Sequence, residues 1–219
     1  MDLIIPASGF ATRMNGLPKF LLPLPGIRSL LQRHVDISEK YYDRILLAVR
    51  PSLAPLLDAS LISEKTDIFE LETSTMSETV LALVEKSSSE RFSMVMPDTF
   101  FLGESPHQNF SEMDSDLVVA YWKIRESQRG KLGQLKIENG EIKEVIDKDP
   151  LCEFSDASGS LSFTRNFSQM IKSDMPHIGY AIPKYLSSNS MHESFLVAGD
   201  YFDCGTPDEY FNLVNRMTA

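Results

Sequence analysis

The sequence predicts an α/β protein, a doubly wound and mostly parallel sheet with a smaller β-rich part in its second half. Three observations carry this expectation. Over residues 1–100 short apolar runs alternate with stretches of helical periodicity, the pattern of strand, crossover helix and next strand. After Phe100 the apolar runs follow one another more closely, and Asn139-Gly140 between two of them is a strong hairpin signal. At 219 residues and 42% hydrophobic content the chain can bury a full core, which suits one domain over 1–219 with halves at 1–100 and 101–219.

Taken in order, the first strand is the apolar run Leu3, Ile4, Ile5. The segment behind it, PASGFATRMNGLPKFLLPL from Pro6 to Leu24, is the most informative in the chain. Ala7, Ser8, Gly9 and Ala11 are small enough for backbone to approach a ligand, and Gly9 can take φ > 0 at a sharp turn. Outward amides in such a turn form an anion-binding concavity. Arg13 adds a planar fork and Lys19 a mobile point charge, which together make a polyphosphate cradle. The segment matches neither the P-loop nor the dinucleotide fingerprint. Ser29 with Gln32 reads as a capping box opening a helix to about residue 40. Strands are expected at 44–49, 67–71 and 92–97, with helices at 51–63 and 77–86. Beyond Phe100, strands are expected at 116–124, 132–138 and 141–146. Residues 151–173 are polar and poorly periodic and read as a mobile, lid-like segment. Thr206-Pro207-Asp208-Glu209 is an N-cap, a first-turn proline and a capping-box glutamate in sequence, so a terminal helix should reach about residue 217.

Composition excludes several classes of partner. A net charge of −10 argues against nucleic acid, which calls for a basic surface. The opening MDLIIPASG has no basic n-region and no long apolar stretch, so the expectation is a cytoplasmic protein with no membrane partner. Cys152 and Cys204 are too few for a disulfide framework and fit no zinc spacing, so both read as free thiols.

Polyphosphate chemistry needs a divalent metal, and hard cations take carboxylate oxygen. Asp98 directly follows the apolar strand in VMPDTFF, at the carboxyl edge where open α/β sheets bind ligands. Asp203 stands in YFDCGTPDEY, just before Gly205 and the capped terminal helix, with Asp200 close by.

Small-small-Gly-x-small-x-Arg-Met, then Pro-Lys, then an apolar run, resembles the signature loop of the nucleotidyltransferase superfamily. That superfamily includes sugar-1-phosphate nucleotidyltransferases, methylerythritol-phosphate cytidylyltransferases and N-acetylglucosamine-phosphate uridylyltransferases. Ala11 stands where a second glycine is usual. VMPDTFF and YFDCGTPDEY resemble the segments that carry the family's two metal-binding aspartates. SETVLAL, from Ser77, lies where the family has G-T-x-x-A-L, with Glu78 in place of the glycine and Thr79 in register. KLGQLKIENGEIKEVIDKDP resembles the acceptor side of the sugar branch, with Gly133 approaching the sugar and Lys148 at the lysine of its E-K-P segment, where Asp147 replaces the glutamate. HIGYAIPKYL resembles the segment whose glycine, here Gly179, lines the sugar pocket.

The resemblance, closest to glucose-1-phosphate thymidylyltransferases, implies a Rossmann-like nucleotidyltransferase fold with a nucleotide-binding half at 1–100 and an acceptor-binding half at 101–219. It implies an enzyme that transfers a nucleotidyl group from an NTP to a sugar 1-phosphate and releases pyrophosphate. In that scheme Ala7, Ser8, Gly9, Phe10, Ala11, Thr12 and Thr79 bind the nucleotide, and Arg13 and Lys19 are catalytic. Gly133, Lys148 and Gly179 bind the phosphorylated acceptor, and Asp98 and Asp203 hold Mg²⁺. His177 is left out as structural. Two alternatives stand beside it: a cytidylyltransferase for a polyol phosphate or phosphocholine, whose cradle is nearest in text, and a module that binds a nucleotide or nucleotide sugar without turnover. The base, the acceptor and the oligomeric state are not legible in the sequence.

Overall fold

Period-two alternation in the first strands puts a helix on each face of the sheet. The structure, a computed structural model, describes residues 1–10, 14, 16–188 and 191–219. In β1 (Asp2–Ala7) and β2 (Arg44–Val49), Leu3, Ile5, Ile45 and Leu47 pack with Leu31 and Val35 of α1 (Leu30–Ser38). Ile4, Leu46 and Ala48 point the other way and pack with Val80 and Leu83 of α2 (Met76–Glu85). Successive strand residues face opposite sides, so two apolar sets on one strand require two covering layers.

The main sheet has the order β10-β6-β9-β4-β1-β2-β3, where β3 is Thr66–Glu70, β4 Arg91–Met94, β6 Leu117–Lys123, β9 Asp156–Thr164 and β10 His192–Leu196. All pairs on this path are parallel except those of β9, which runs antiparallel to both β4 and β6. A hairpin of β7 (Gly133–Glu138) and β8 (Glu141–Asp147) joins through β7 to the early residues of β9. Its turn takes φ 55° at Asn139 and 79° at Gly140, the left-handed pair that an Asn-Gly turn requires. Separately, β5 (Thr99–Gly103) and β11 (Gly199–Asp203) form a two-stranded antiparallel ribbon. Phe100 and Phe202 on one face of the ribbon pack with Leu30 and with Leu213 of α6 (Pro207–Thr218). Phe101 and Tyr201 on the other face pack with Trp122 of β6. Short helices α3 (His107–Glu112), α4 (Arg165–Ser168) and α5 (Ile182–Leu186) complete the described chain.

Two expectations are corrected. Residues 51–63 form no α-helix but two 3-10 turns, Ala54–Leu56 and Ala59–Leu61. Pro51 and Pro55 supply no N–H, and Asp58 diverts the amide of Ser60 to its own carboxylate at 2.8 Å. Residues 151–173 are no lid: they contain β9, the interior strand that links β4, β6 and β7. Ser160 and Ser162 of β9 are fully buried, and Ser162 Oγ donates to the carbonyl of Phe92 at 3.0 Å. A hydroxyl tied to backbone, as at Ser162, lets a polar residue sit in an interior strand.

The caps behave as their residues dictate. The amides of Gln32 and Glu78 donate to Ser29 Oγ and Thr75 Oγ1 at 3.1 and 3.0 Å. The amide of Glu209 donates to Thr206 Oγ1 at 3.4 Å. Cys152 and Cys204 are free and buried. Among the described residues no helix is long and apolar enough to cross a membrane.

Candidate functional site

The strand β1 ends at Ala7, and the cradle begins with Ser8, which is 4% exposed. Its hydroxyl lies 2.9 Å from Thr79 Oγ1 and 3.1 Å from Thr73 Oγ1, so Ser8 and Thr79, both expected at the nucleotide, meet each other at the start of α2. This clasp fixes where the loop leaves the sheet. Gly9 takes no positive φ, and no atom of the described residues lies within 4 Å of the place a Cβ would occupy. Its absent side chain thus opens space rather than enabling a turn. Phe10 is 68% exposed and carries the guanidinium of Arg50 on its face, 3.3 Å from the ring centroid. Ala11, Thr12 and Arg13 lie outside the described residues. Glu78 does not project into the site. Its Oε2 accepts from the amide of Ser74 at 2.7 Å and completes the cap of α2.

Lys19 opens a 3-10 turn, Lys19–Leu21, that is anchored by buried Phe20. From there Lys19 Nζ reaches Asp98 Oδ2 at 2.9 Å, with the two side chains 15% and 11% exposed. The ribbon brings the second aspartate alongside, because Asp203 pairs with Thr99 and the amide of Cys204 donates to the carbonyl of Asp98 at 2.8 Å. Asp203 Oδ1 accepts from the amide of Gly205 at 3.0 Å. A Cβ on Gly205 would stand 2.8 Å from that oxygen, so glycine is what lets the carboxylate lie there. Cys204, between them, is no thiolate: burial first, then the negative charges of Asp98 and Asp203, push its thiol well above its ordinary value. Two carboxylates, one just before β5 and one at the end of β11, offer beside Lys19 Nζ the oxygen ligands that a hard divalent cation takes. Among the described residues no third His, Cys, Asp or Glu joins them in a metal-binding group. Asp200 faces elsewhere, paired with Arg216 at 3.4 Å.

Asp98 and Asp203 line a cavity of about 380 Å³. The hairpin, residues 176–183 and residues of α2, β4 and β9 also line it, so Gly133, Lys148 and Gly179 face the same space. Gly133, at the start of β7, pairs with Asp147 on one side and Ser158 on the other. Lys148 is exposed, with φ 51°. A Cβ on Gly179 would lie 2.9 Å from His177 Nδ1, so this glycine makes room for the imidazole. His177, expected to be structural, instead lines the cavity, with Nε2 3.2 Å from Asp147 Oδ1 and its ring edge-on to Tyr180 at 4.7 Å. Burial holds its pKa below the ordinary value against the pull of Asp147. The sequence signal for it was its place two residues before Gly179.

Comparison with known proteins agrees with this fold. The model of one family, the MobA-like NTP transferase domain, matches residues 3–135. No curated protein matches the chain in sequence. Among solved structures, UDP-glucose pyrophosphorylase complexed with UDP-glucose superposes with a TM-score of 0.80 at 17% identity, covering 99% of this chain and 98% of that one. The inositol-1-phosphate CTP transferase from T. maritima gives 0.77 at 15% identity, covering 99% and 96%. UTP-bound UGPase from Acinetobacter baumannii gives 0.76 at 14% identity, covering 99% and 92%. At these identities the likeness is one of fold.

Proposed function

We propose that this chain, which belongs to the family of MobA-like NTP transferase domains, transfers a nucleotidyl group from an NTP to the phosphate of a small phosphorylated acceptor, of which sugar 1-phosphates are the first class to test. The observation that supports the reading is that Asp98, paired with Lys19, and Asp203 line the same cavity as Gly133, Lys148 and Gly179.

An acceptor phosphate oxygen attacks the α-phosphorus in line, and the bond from that phosphorus to the β-bridging oxygen breaks. Pyrophosphate leaves with the electron pair. The nucleophile is already ionised at neutral pH, so the site needs positioning and charge rather than a general base. The amides from Ala7 to Thr12, with Arg13, receive the leaving pyrophosphate. Lys19 Nζ already meets a carboxylate oxygen, and a phosphate oxygen is the same kind of partner. Asp98 and Asp203 would hold Mg²⁺, which would supply neutralisation of the phosphate charge. Lys148 meets the acceptor phosphate.

A pyrophosphate-release screen of the common NTPs against phosphorylated acceptors with Mg²⁺ tests the reading. Product is expected with one pair, whereas tight nucleotide binding without pyrophosphate from any pair identifies a sensing module instead. With that pair in hand, Lys148→Ala should raise the acceptor KM about ten- to a hundredfold and leave NTP affinity by calorimetry nearly unchanged. Equal weakening of both ligands puts Lys148 in the wrong half of the site.

A further inference from the structure

Tyr201 of β11 is clamped at its backbone and on its ring but not at its hydroxyl. Its carbonyl accepts from Arg125 Nη2 at 2.9 Å and from Gln128 Nε2 at 3.0 Å. Its ring stacks on Trp122, with centroids 3.6 Å apart, and meets Phe101 edge to face at 5.3 Å. The residue is 4% exposed and lines the cavity. Among the described residues nothing hydrogen-bonds its Oη, yet that atom is not sealed off as the neighbouring Trp122 Nε1 is, so the surface it keeps opens on the cavity. Burial first, then the charges of Asp203 and Asp98, push the phenol far above the ordinary tyrosine value. The group therefore stays a neutral O–H donor, fixed in place and without a protein acceptor.

A glycine is what leaves the hydroxyl open. The pairing of β6 with β9 slips at one place: Ala120 faces Ser160 and Tyr121 faces Ser158, so Gly159 is the extra residue of a bulge. Gly159 lines the cavity as well, and a Cβ there would stand 3.3 Å from Tyr201 Oη and 3.4 Å from Trp122 Cη2. A side chain at the bulge would cover the hydroxyl, whereas glycine lets a ligand come close. Two other hydroxyls of the lining are already engaged, Tyr180 Oη with Asp147 Oδ2 at 3.0 Å and Thr99 Oγ1 with the carbonyl of Met96 at 2.8 Å. Met94, Leu135 and Leu161, also in the lining, offer no polar side-chain group beyond a thioether.

We infer that Tyr201 is a specificity-determining residue of the acceptor site, its hydroxyl donating to an oxygen on the body of the acceptor while Gly159 keeps the approach open. The inference rests on the nucleotidyl-transfer reading for the phosphate end only. A buried donor left unpaired loses the hydrogen bond it had with water, so the site disfavours acceptors that bring no oxygen to it. Phosphates whose body carries a hydroxyl or a ring oxygen are preferred over plain alkyl phosphates.

The test measures binding by calorimetry to the full chain with Mg²⁺. The probes are glucose 1-phosphate, N-acetylglucosamine 1-phosphate, inositol 1-phosphate, glycerol 3-phosphate and ethyl phosphate. At least one oxygen-bearing probe should bind about tenfold or more tightly than ethyl phosphate. Tyr201→Phe should erase that preference and leave ethyl phosphate within about twofold, and Gly159→Ala should weaken the same probe with the hydroxyl still present. Because Oη has no partner in the protein, the urea midpoint of Tyr201→Phe should equal or exceed that of the parent. A lowered midpoint with the preference intact, or a variant that does not fold, shows the hydroxyl to be structural and overturns the inference. So does ethyl phosphate binding as well as every other probe, and so does its equal weakening in Tyr201→Phe, which would put the hydroxyl on the phosphate. The two readings fail separately. Pyrophosphate from some pair, with the preference unchanged in Tyr201→Phe, leaves transfer standing and removes the tyrosine. A Tyr201-dependent preference with no pyrophosphate from any NTP removes transfer and leaves the tyrosine.

Discussion

Lys19 and Asp98 hold each other's charge where little water reaches, at 15% and 11% side-chain exposure. Removing one leaves the other unpaired and partly desolvated. Lys19→Met should therefore lower kcat about a hundredfold, as loss of a preorganised charge at a reacting phosphate does. It should also lower the melting temperature, with Mg²⁺ restoring part of the loss at Asp98. Near-normal kcat in this variant would show that Lys19 does not meet phosphate. Asp98→Asn and Asp203→Asn should each abolish divalent-dependent turnover, measured across a Mg²⁺ titration, because an amide carries no charge to offset dehydration of the ion. These residues were legible because each sits at a fixed offset from a strong local signal: Asp98 behind an apolar run, Asp203 two positions before Gly205, and Lys19 behind Pro18. The cluster of Asp147, His177 and Tyr180 was not. It depends on contact between a strand end and a 3-10 turn some thirty residues on, which no spacing rule announces.

At the scale of elements, signals held where large apolar residues carried the period and faded where small ones did. In β1 and β2 isoleucine and leucine mark both faces, whereas β9 reads DASGSLSFT and hides its alternation in Ala, Ser and Gly. The β5–β11 ribbon was equally hidden, since its two strands are almost a hundred residues apart and neither stands without the other. Yet the ribbon sets the distance between the two aspartates. Gly205 is the joint through which it does so. In Gly205→Ala the new methyl meets Asp203 Oδ1, so the carboxylate must turn away. The expected outcome is a Mg²⁺ requirement shifted to at least about tenfold higher concentration, with an urea midpoint close to that of the parent. An unchanged Mg²⁺ titration would mean that Asp203 reaches its partner in another rotamer.

Over the whole molecule, two buried histidines should set the response to acid. His34 on α1 and His107 on α3 are 2% and 0% exposed, and His107 Nδ1 is bound to Tyr42 Oη at 2.9 Å. Burial pulls His34 down to about 4, and burial with the neighbouring His34 pulls His107 down to about 3, both from 6.5. Between those values and pH 6.5 the unfolded chain binds protons that the folded one refuses. Stability is thus full above pH 6.5 and falls as pH drops, by about 1.4 kcal/mol per pH unit for each histidine at the steepest. Urea midpoints at pH 7 and pH 5 measure this, and His34→Leu should remove its share of the slope. Equal midpoints in the parent would refute the assignment. The position of β9 bears on how the chain comes to be folded at all. By residue 94 the strands β1 to β4 exist, but the far edge of β4 stays bare until residues 156–164 are made. During that interval Phe92 and Met94 flank an open row of N–H and C=O groups that a strand of another copy could occupy. A ribosome pausing after residue 135, where the family match ends, would hold out an unclosed sheet. The span matched by the family model thus ends before the strand that closes the sheet is made.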